Sequence, residues 1–136
     1  MDIVIDDSRP EFRVIVAGSR SFGDYGYLEE TLDTLLKEKK KTHDISIVCG
    51  KARGADTLGE RYAKERGYGV LEFPAKWDKY GKSAGHIRNE EMARNADALV
   101  AFWDGQSAGT RDMIALAKRN VKAHGHLTAQ QKGKTP

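Results

Sequence analysis

Four short apolar runs, each followed by residues at helical spacing, constrain this chain more than any other feature of its sequence. "FRVIVAG" (Phe12–Gly18), "DISIVCG" (Asp44–Gly50), "GVLEFP" (Gly69–Pro74) and "DALVAFW" (Asp97–Trp103) read as strands. Their apolar residues are continuous, not alternating, which is the pattern of a strand covered on both faces. Between the runs, Leu28, Leu32, Leu35 and Leu36 share one helical face, and so do Ala55, Leu58, Tyr62 and Ala63. Ile87 to Ala96 reads as a third helix, and Arg111 to Asn120 as a fourth with Met113, Leu116 and Ala117 on one side. Such alternation predicts an α/β fold: a single Rossmann-like domain, a parallel sheet with helices on both faces. Residues 1–11 read as an N-terminal arm, in which "DIVI" can add an edge strand. Residues 12–127 read as the domain, ending in a poor fifth strand, "VKAHGHL", and 128–136 as a polar, disordered tail.

Composition narrows the class. With 136 residues, 39% apolar and 32% charged, the chain reads as one soluble domain. No window reaches the ~18 apolar residues of a membrane span, and the acidic start lacks the basic and apolar regions of a secretory signal. The single cysteine, Cys49, forbids an internal disulfide and fits a reducing cytoplasm; it reads as a small core residue, not a nucleophile. A net charge of +3 and a pI of about 9.0 permit an anionic ligand or a nucleic acid and demand neither. "KEKKK" (Lys37–Lys41) reads as a solvated helix end. "HGH" (124–126) offers too few ligands for a metal, and no motif for a separate cofactor is present.

In a parallel α/β sheet the loops after the strands share one edge, where ligands bind. Every unusual loop of this chain follows a strand. In "AGSRSFGD", Gly18 permits a tight turn, while Ser19 and Arg20 supply donors suited to phosphate or ribose. In "GKARGAD", Gly50 and Gly54 bracket Lys51, Ala52 and Arg53, so that an anion can approach the N–H groups at a helix start, with Arg53 as a clamp. Asp56 either caps that helix or accepts a ribose hydroxyl. In "KWDKYGKSAGHIRN", Trp77 and Tyr80 either stack on a base or pin the loop to the core. Arg88 and Asn89 follow near a helix start, where an anion would relieve the mismatch between arginine and helix dipole. In "WDGQSAGT", Gly105, Ser107, Gly109 and Thr110 form a second candidate anion cradle, with Asp104 and Asp112 as acids nearby. Neither loop has GxGxxG or GxxxxGK[ST] spacing, which argues against a dinucleotide dehydrogenase and an ATPase motor.

Taken together, "GSRSF", "GKARGAD", "AGHIRNEEM" and "ALVAFWDGQSAGTRDMI" resemble the YspA-type branch of the SLOG superfamily, in order and over roughly residues 12–120. The superfamily also holds the DNA-processing protein DprA and the LOG phosphoribohydrolases. The resemblance implies a Rossmann-like fold and a site for a nucleotide or nucleotide-derived ligand such as NAD or ADP-ribose. His86, Arg88 and Met92 match the LOG block H-x-R-x-x-x-M, whose arginine is catalytic. Gly109 and Thr110 match the G-T of the LOG block P-G-G-x-G-T-x-x-E, but Met113 stands at its catalytic glutamate, and Gln106 and Ser107 follow Gly105 in place of a second glycine. Lys51 likewise replaces the second glycine of the branch's usual G-G-A-R-G-A-D.

Three functions follow as expectations. The first is binding or sensing of a nucleotide-derived small molecule at the strand C-terminal edge. The second is hydrolysis of a nucleotide N-glycosidic bond, with Arg88 on the phosphate and Asp112 in place of the missing glutamate, although Asp112 points about 100° around the helix from position 113. The third is DprA-like single-strand DNA binding, which lacks support from a long basic and aromatic stripe. Pairing through helix faces into a homodimer is expected by analogy with related folds.

Overall fold

The computed structural model describes residue 2, residues 9–121 and the backbone of residues 127–130. Most of the expected arm, the "HGH" segment and the last six residues lie outside the described residues. Five parallel strands form one sheet: β1 (Glu11–Gly18), β2 (Asp44–Cys49), β3 (Gly69–Glu72), β4 (Ala98–Trp103) and β5 (Leu127–Gln130), in the order β3-β2-β1-β4-β5. The chain winds outward from β1 to β3, then returns across β1 to β4. That reversal opens a crevice between the C-terminal ends of β1 and β4, where α/β sheets of this kind hold their ligands.

The continuous apolar runs are divided by the strand's period of two. Val14, Val16, Ile45, Ile47, Val100 and Phe102 face one side, against α1 (Tyr25–Leu36) and α2 (Ala55–Arg66). Ile15, Ala17, Val48, Leu99 and Ala101 face the other, against α4 (Ala84–Arg94) and α5 (Ala108–Asn120). Of the four leucines expected on the first helical face, Leu28, Leu32 and Leu36 are buried, and Leu35 is exposed at the margin of the stripe. The first pair of helices is also tied by polar contacts. The buried Tyr62 donates its hydroxyl to Asp33 at 2.6 Å, and Arg66 reaches Asp33 and Glu29.

Three boundaries differ from those read in the sequence. The stretch after Pro74 is not an open loop: it holds the single turn α3 (Trp77–Tyr80), a 3-10 turn at Gly81–Ser83, and then α4, which begins three residues early. After Pro74 the run up to Tyr80 contains no helix breaker, and short turns of this kind leave no periodic signal. Helix α5 also begins three residues earlier than expected, at Ala108. The fifth strand forms at Leu127–Gln130 and pairs Val100–Trp103, so the sheet extends into residues expected to be tail. An edge strand draws its hydrogen bonds from its neighbour's backbone, which composition does not reveal. Among the described residues no helix is long and apolar enough to cross a membrane.

Candidate functional site

A cavity of about 430 Å³ occupies the crevice between β1 and β4. The sheet contributes Ala17 and Gly18, the β1–α1 loop Ser19, Arg20 and Ser21, and the β2–α2 segment Ala52 and Asp56. Helix α4 adds Arg88, Asn89 and Met92; the β4–α5 segment adds Asp104, Ser107, Gly109, Thr110 and Met113. Residues from four segments distant in sequence, Gly18–Arg20, Ala52 and Asp56, Arg88 and Asn89, and Ser107, Gly109 and Thr110, border this one cavity. Gly50, Lys51, Arg53 and Trp77 border a neighbouring cavity, which shares Arg20, Ala52 and Arg88 with the first. Gly105 and Asp112 line neither.

Backbone geometry explains why these loops meet. A side chain at Gly54 (φ 76°) would strike the carbonyls of Ser19 and Arg20, so glycine lets the β2–α2 loop slide beneath the β1–α1 loop. The Ser19 hydroxyl, buried, accepts from the Asp104 N–H at 3.1 Å and ties β1–α1 to β4–α5. Asp104 Oδ1 in turn accepts from the N–H groups of Gln106 and Ser107 at 2.8 and 2.9 Å, and the Trp103 indole donates to the Ser107 carbonyl. The amides of Gln106 and Ser107 are thus satisfied within their own loop and do not cradle an anion. The first turn of α5 is different: Ser107 makes no side-chain cap there. The Thr110 hydroxyl, on a residue only 4% exposed, faces the cavity with no hydrogen-bond partner among the described residues.

Arg88 sits in the second turn of α4, not at its start, and its position needs no bound anion. Its guanidinium donates to the Gly50 carbonyl, and its Nε to Asn89 Oδ1 at 2.9 Å. A Cβ at Gly50 would collide with that guanidinium. Asp56 neither caps α2 through its own first turn nor projects freely toward a ligand: its carboxylate accepts the Gly50 N–H at 3.1 Å. Burial pushes the Asp56 carboxyl pKa up, against the opposing pull of the Gly50 N–H and the Arg88 charge. Lys51 adopts φ 61°, the left-handed conformation that glycine would take without strain, and its ammonium bonds Glu60 and Glu72.

Asp112 is turned toward α4. It meets His86 Nδ1 at 2.8 Å and Asn89 Nδ2 at 3.0 Å, while Asn89 also reaches the Gly109 carbonyl. Asn89 therefore links Arg88 to Asp112 and locks α4 against α5. Reading the sequence missed this role. Its signal was the i, i+3 placement of His86 and Asn89, which share one helix face. The two carboxylates bordering the cavity, Asp56 and Asp104, both accept loop backbone N–H groups, and Met113 lines the wall. Cys49 is buried, with its thiol pushed up to about 11 by burial. Among the described residues no cluster of three or more His, Cys, Asp or Glu side chains is placed to hold a metal.

A Rossmann-like sheet with a polar crevice at its switch point defines the class of this molecule. The model of the YspA, cpYpsA-related SLOG family matches residues 12–80, half of the chain, and the chain belongs to that family. It is 35% identical over 113 residues to the Gene 61 protein of Mycobacterium phage D29, covering 79% of this chain and 89% of that protein. Two solved structures share the fold. DNA processing protein A (DprA) from Streptococcus pneumoniae superposes with a TM-score of 0.59 at 16% identity, over 81% of this chain and 47% of that one. The chain thus spans about half the length of that DprA. The structural-genomics target TM1055 superposes with a TM-score of 0.54 at 19% identity, over 79% of this chain and 68% of that one.

Proposed function

We propose that this chain binds a nucleotide or nucleotide-derived small molecule, with its phosphate at the first turn of α5. The observation that carries this reading is the Thr110 hydroxyl: on a buried residue lining a cavity, at a helix start, with neither a partner for the hydroxyl nor a side-chain cap for the helix among the described residues. A phosphate there would accept from Thr110 and from first-turn N–H groups, favoured by the helix dipole. Arg20, whose guanidinium has no partner among the described residues, borders the same cavity and adds a second donor group. Membership of the SLOG family fits a ligand of this type.

Binding is preferred over N-glycosidic cleavage because, among the described residues, the acids at the cavity are engaged within the protein. The carboxylates that border the cavity accept loop N–H groups, Asp112 is turned to His86 and Asn89, and a thioether cannot transfer a proton. The cytoplasm, where such ligands abound, is the proposed location.

A thermal-shift panel of AMP, ADP, NAD and ADP-ribose tests the reading. At roughly a hundredfold excess over Kd, a bound ligand should raise Tm on the order of 5–10 °C. Thr110→Val, which keeps the shape and removes the hydroxyl, should leave the free protein's Tm nearly unchanged and weaken binding about 10- to 100-fold. No shift with any ligand, or equal shifts in wild type and Thr110→Val, overturns the assignment. Release of free base from AMP would overturn binding without cleavage.

A further inference from the structure

The neighbouring cavity, about 420 Å³, is a groove of a single charge sign. Arg20, Lys51, Arg53 and Arg88 border it, and among the described residues no carboxylate does. Lys51 is paired with Glu60 and Glu72. Arg20 and Arg53 are exposed and have no hydrogen-bond or ion-pair partner among the described residues. The positive charge continues past the groove. Lys76, Lys79 and Lys82, on α3 and the residues beside it, are exposed, and none meets a carboxylate among the described residues. Asp78 is the one acid in that stretch.

The rest of the groove wall includes Pro74, Ala75 and Trp77. A lone exposed apolar residue on a protein surface needs no explanation. Trp77 differs in two respects. It is 56% exposed, against 37% for Leu35, the other large apolar side chain exposed among the described residues. It also shares a groove with unpaired guanidinium groups, and tryptophan with arginine is the composition of protein-interface anchors. One edge of its ring lies 3.5 Å from where a Gly85 Cβ would stand, and no cation or second ring stacks on it among the described residues.

We propose that this groove docks a protein partner through a short acidic segment that carries one apolar residue. The apolar residue packs on the Trp77 ring. Carboxylates beside it pair with Arg20 and Arg53, whose planar forks match a carboxylate. Lys76, Lys79 and Lys82 form a basic rim that draws the acidic segment in. A nucleic-acid strand fits this surface less well, because successive bases stack on successive aromatic faces. Trp77 is the one exposed Phe, Tyr or Trp among the described residues. A membrane surface calls for a long amphipathic helix, and α3 has four residues. The inference does not rest on the phosphate reading at α5, although Arg20 and Arg88 border both cavities.

Fluorescence anisotropy on the full chain tests the docking surface with three labelled probes. One is a peptide of Asp and Glu with a central leucine. The second has glycine in place of that leucine, and the third is an oligothymidine of equal charge. Wild type should bind the leucine peptide saturably, about tenfold more tightly than either other probe. Raising NaCl from about 0.05 to 0.5 M should weaken that binding about tenfold. Trp77→Ala should remove the advantage of leucine and leave the glycine peptide unchanged. Arg53→Glu should weaken both peptides. Both side chains are exposed, so the variants should keep the wild-type Tm, which is measured alongside. The proposal is overturned if no peptide binds, if the glycine peptide binds as tightly as the leucine peptide, or if Trp77→Ala leaves the leucine peptide's affinity intact. Oligothymidine binding as tightly as the leucine peptide overturns it in favour of nucleic acid. Salt-sensitive self-association of wild type, seen by light scattering, overturns it in favour of a second copy of the chain. Failure of AMP to bind bears on the α5 reading alone.

Discussion

The β2–α2 and β4–α5 loops look alike in sequence. Each follows a buried strand, carries two glycines and an aspartate when the first turn of the following helix is included, and enters a helix that no side chain caps among the described residues. In the folded chain their polar groups are used differently. The β2–α2 loop is packed inside the structure: Gly54 lies under the Ser19 and Arg20 carbonyls, Asp56 is buried on the Gly50 N–H, and Arg88 covers Gly50. The β4–α5 loop is tied by Ser19, Asp104 and the Trp103 indole, and the helix after it brings Thr110, whose hydroxyl has no hydrogen-bond partner among the described residues, to the crevice. Equal glycine content thus serves assembly in one loop and access in the other.

Paired glycine substitutions break that comparison most severely. Gly54→Ala places a methyl against two backbone carbonyls at a left-handed φ, where neither neighbour can rotate away. Overpacking of about 1–3 kcal/mol and backbone strain of about 1–2 kcal/mol should together lower Tm by roughly 10–20 °C. Gly105→Ala meets nothing within 4 Å, although its φ of 84° is also left-handed. It should lose only the strain, about 1–2 kcal/mol, and a few degrees. Equal losses of Tm in the two variants would show that the loops are packed alike after all.

Charge gives the next contrast. The Asp56 carboxyl titrates above its ordinary value because burial penalises the anion. A carboxyl with a raised folded pKa contributes stability at pH below its unfolded value, near ~3.9, and that contribution is lost as pH rises through the folded value. Asp56→Asn keeps an acceptor for the Gly50 N–H and cannot ionise. Its Tm relative to wild type should therefore improve by a few degrees between acid and neutral pH. A relative decline over that range would mean that the Gly50 N–H and Arg88 outweigh burial.

The fold was legible because strands buried on both faces leave continuous apolar runs, and those runs end on Gly18 and Gly50 at one edge. The site was legible only as a set of loops. Ser19, Arg20, Arg88 and Thr110 were picked by residue type and position after a strand. Nothing in that pattern distinguishes a hydroxyl that faces a cavity from one tied to backbone. Asp56 and Asp104 illustrate the limit. Both are acids beside glycine loops, and both turn inward to satisfy amides two to six residues away, bonds that residue type alone does not single out. Asn89 was picked for the ligand edge, and its bonds run to Arg88, Asp112 and Gly109.

The smallest expected effect concerns Lys51, and it isolates backbone from side chain. Lys51 holds φ 61° while its ammonium bridges Glu60 on α2 and Glu72 on β3. Lys51→Ala removes both ion pairs and keeps the left-handed strain. Lys51→Gly removes both ion pairs and the strain as well. The difference between the two variants is therefore the backbone term alone. A non-glycine residue in this conformation costs about 1–2 kcal/mol, and glycine's extra freedom in the unfolded chain takes back roughly 0.5–1 kcal/mol. Lys51→Gly should melt above Lys51→Ala by a few degrees at most, by thermal denaturation. Were alanine the more stable of the two, the β2–α2 loop would have relaxed away from φ 61°. The close packing of Gly50 against Arg88 would then no longer require the left-handed turn that follows it.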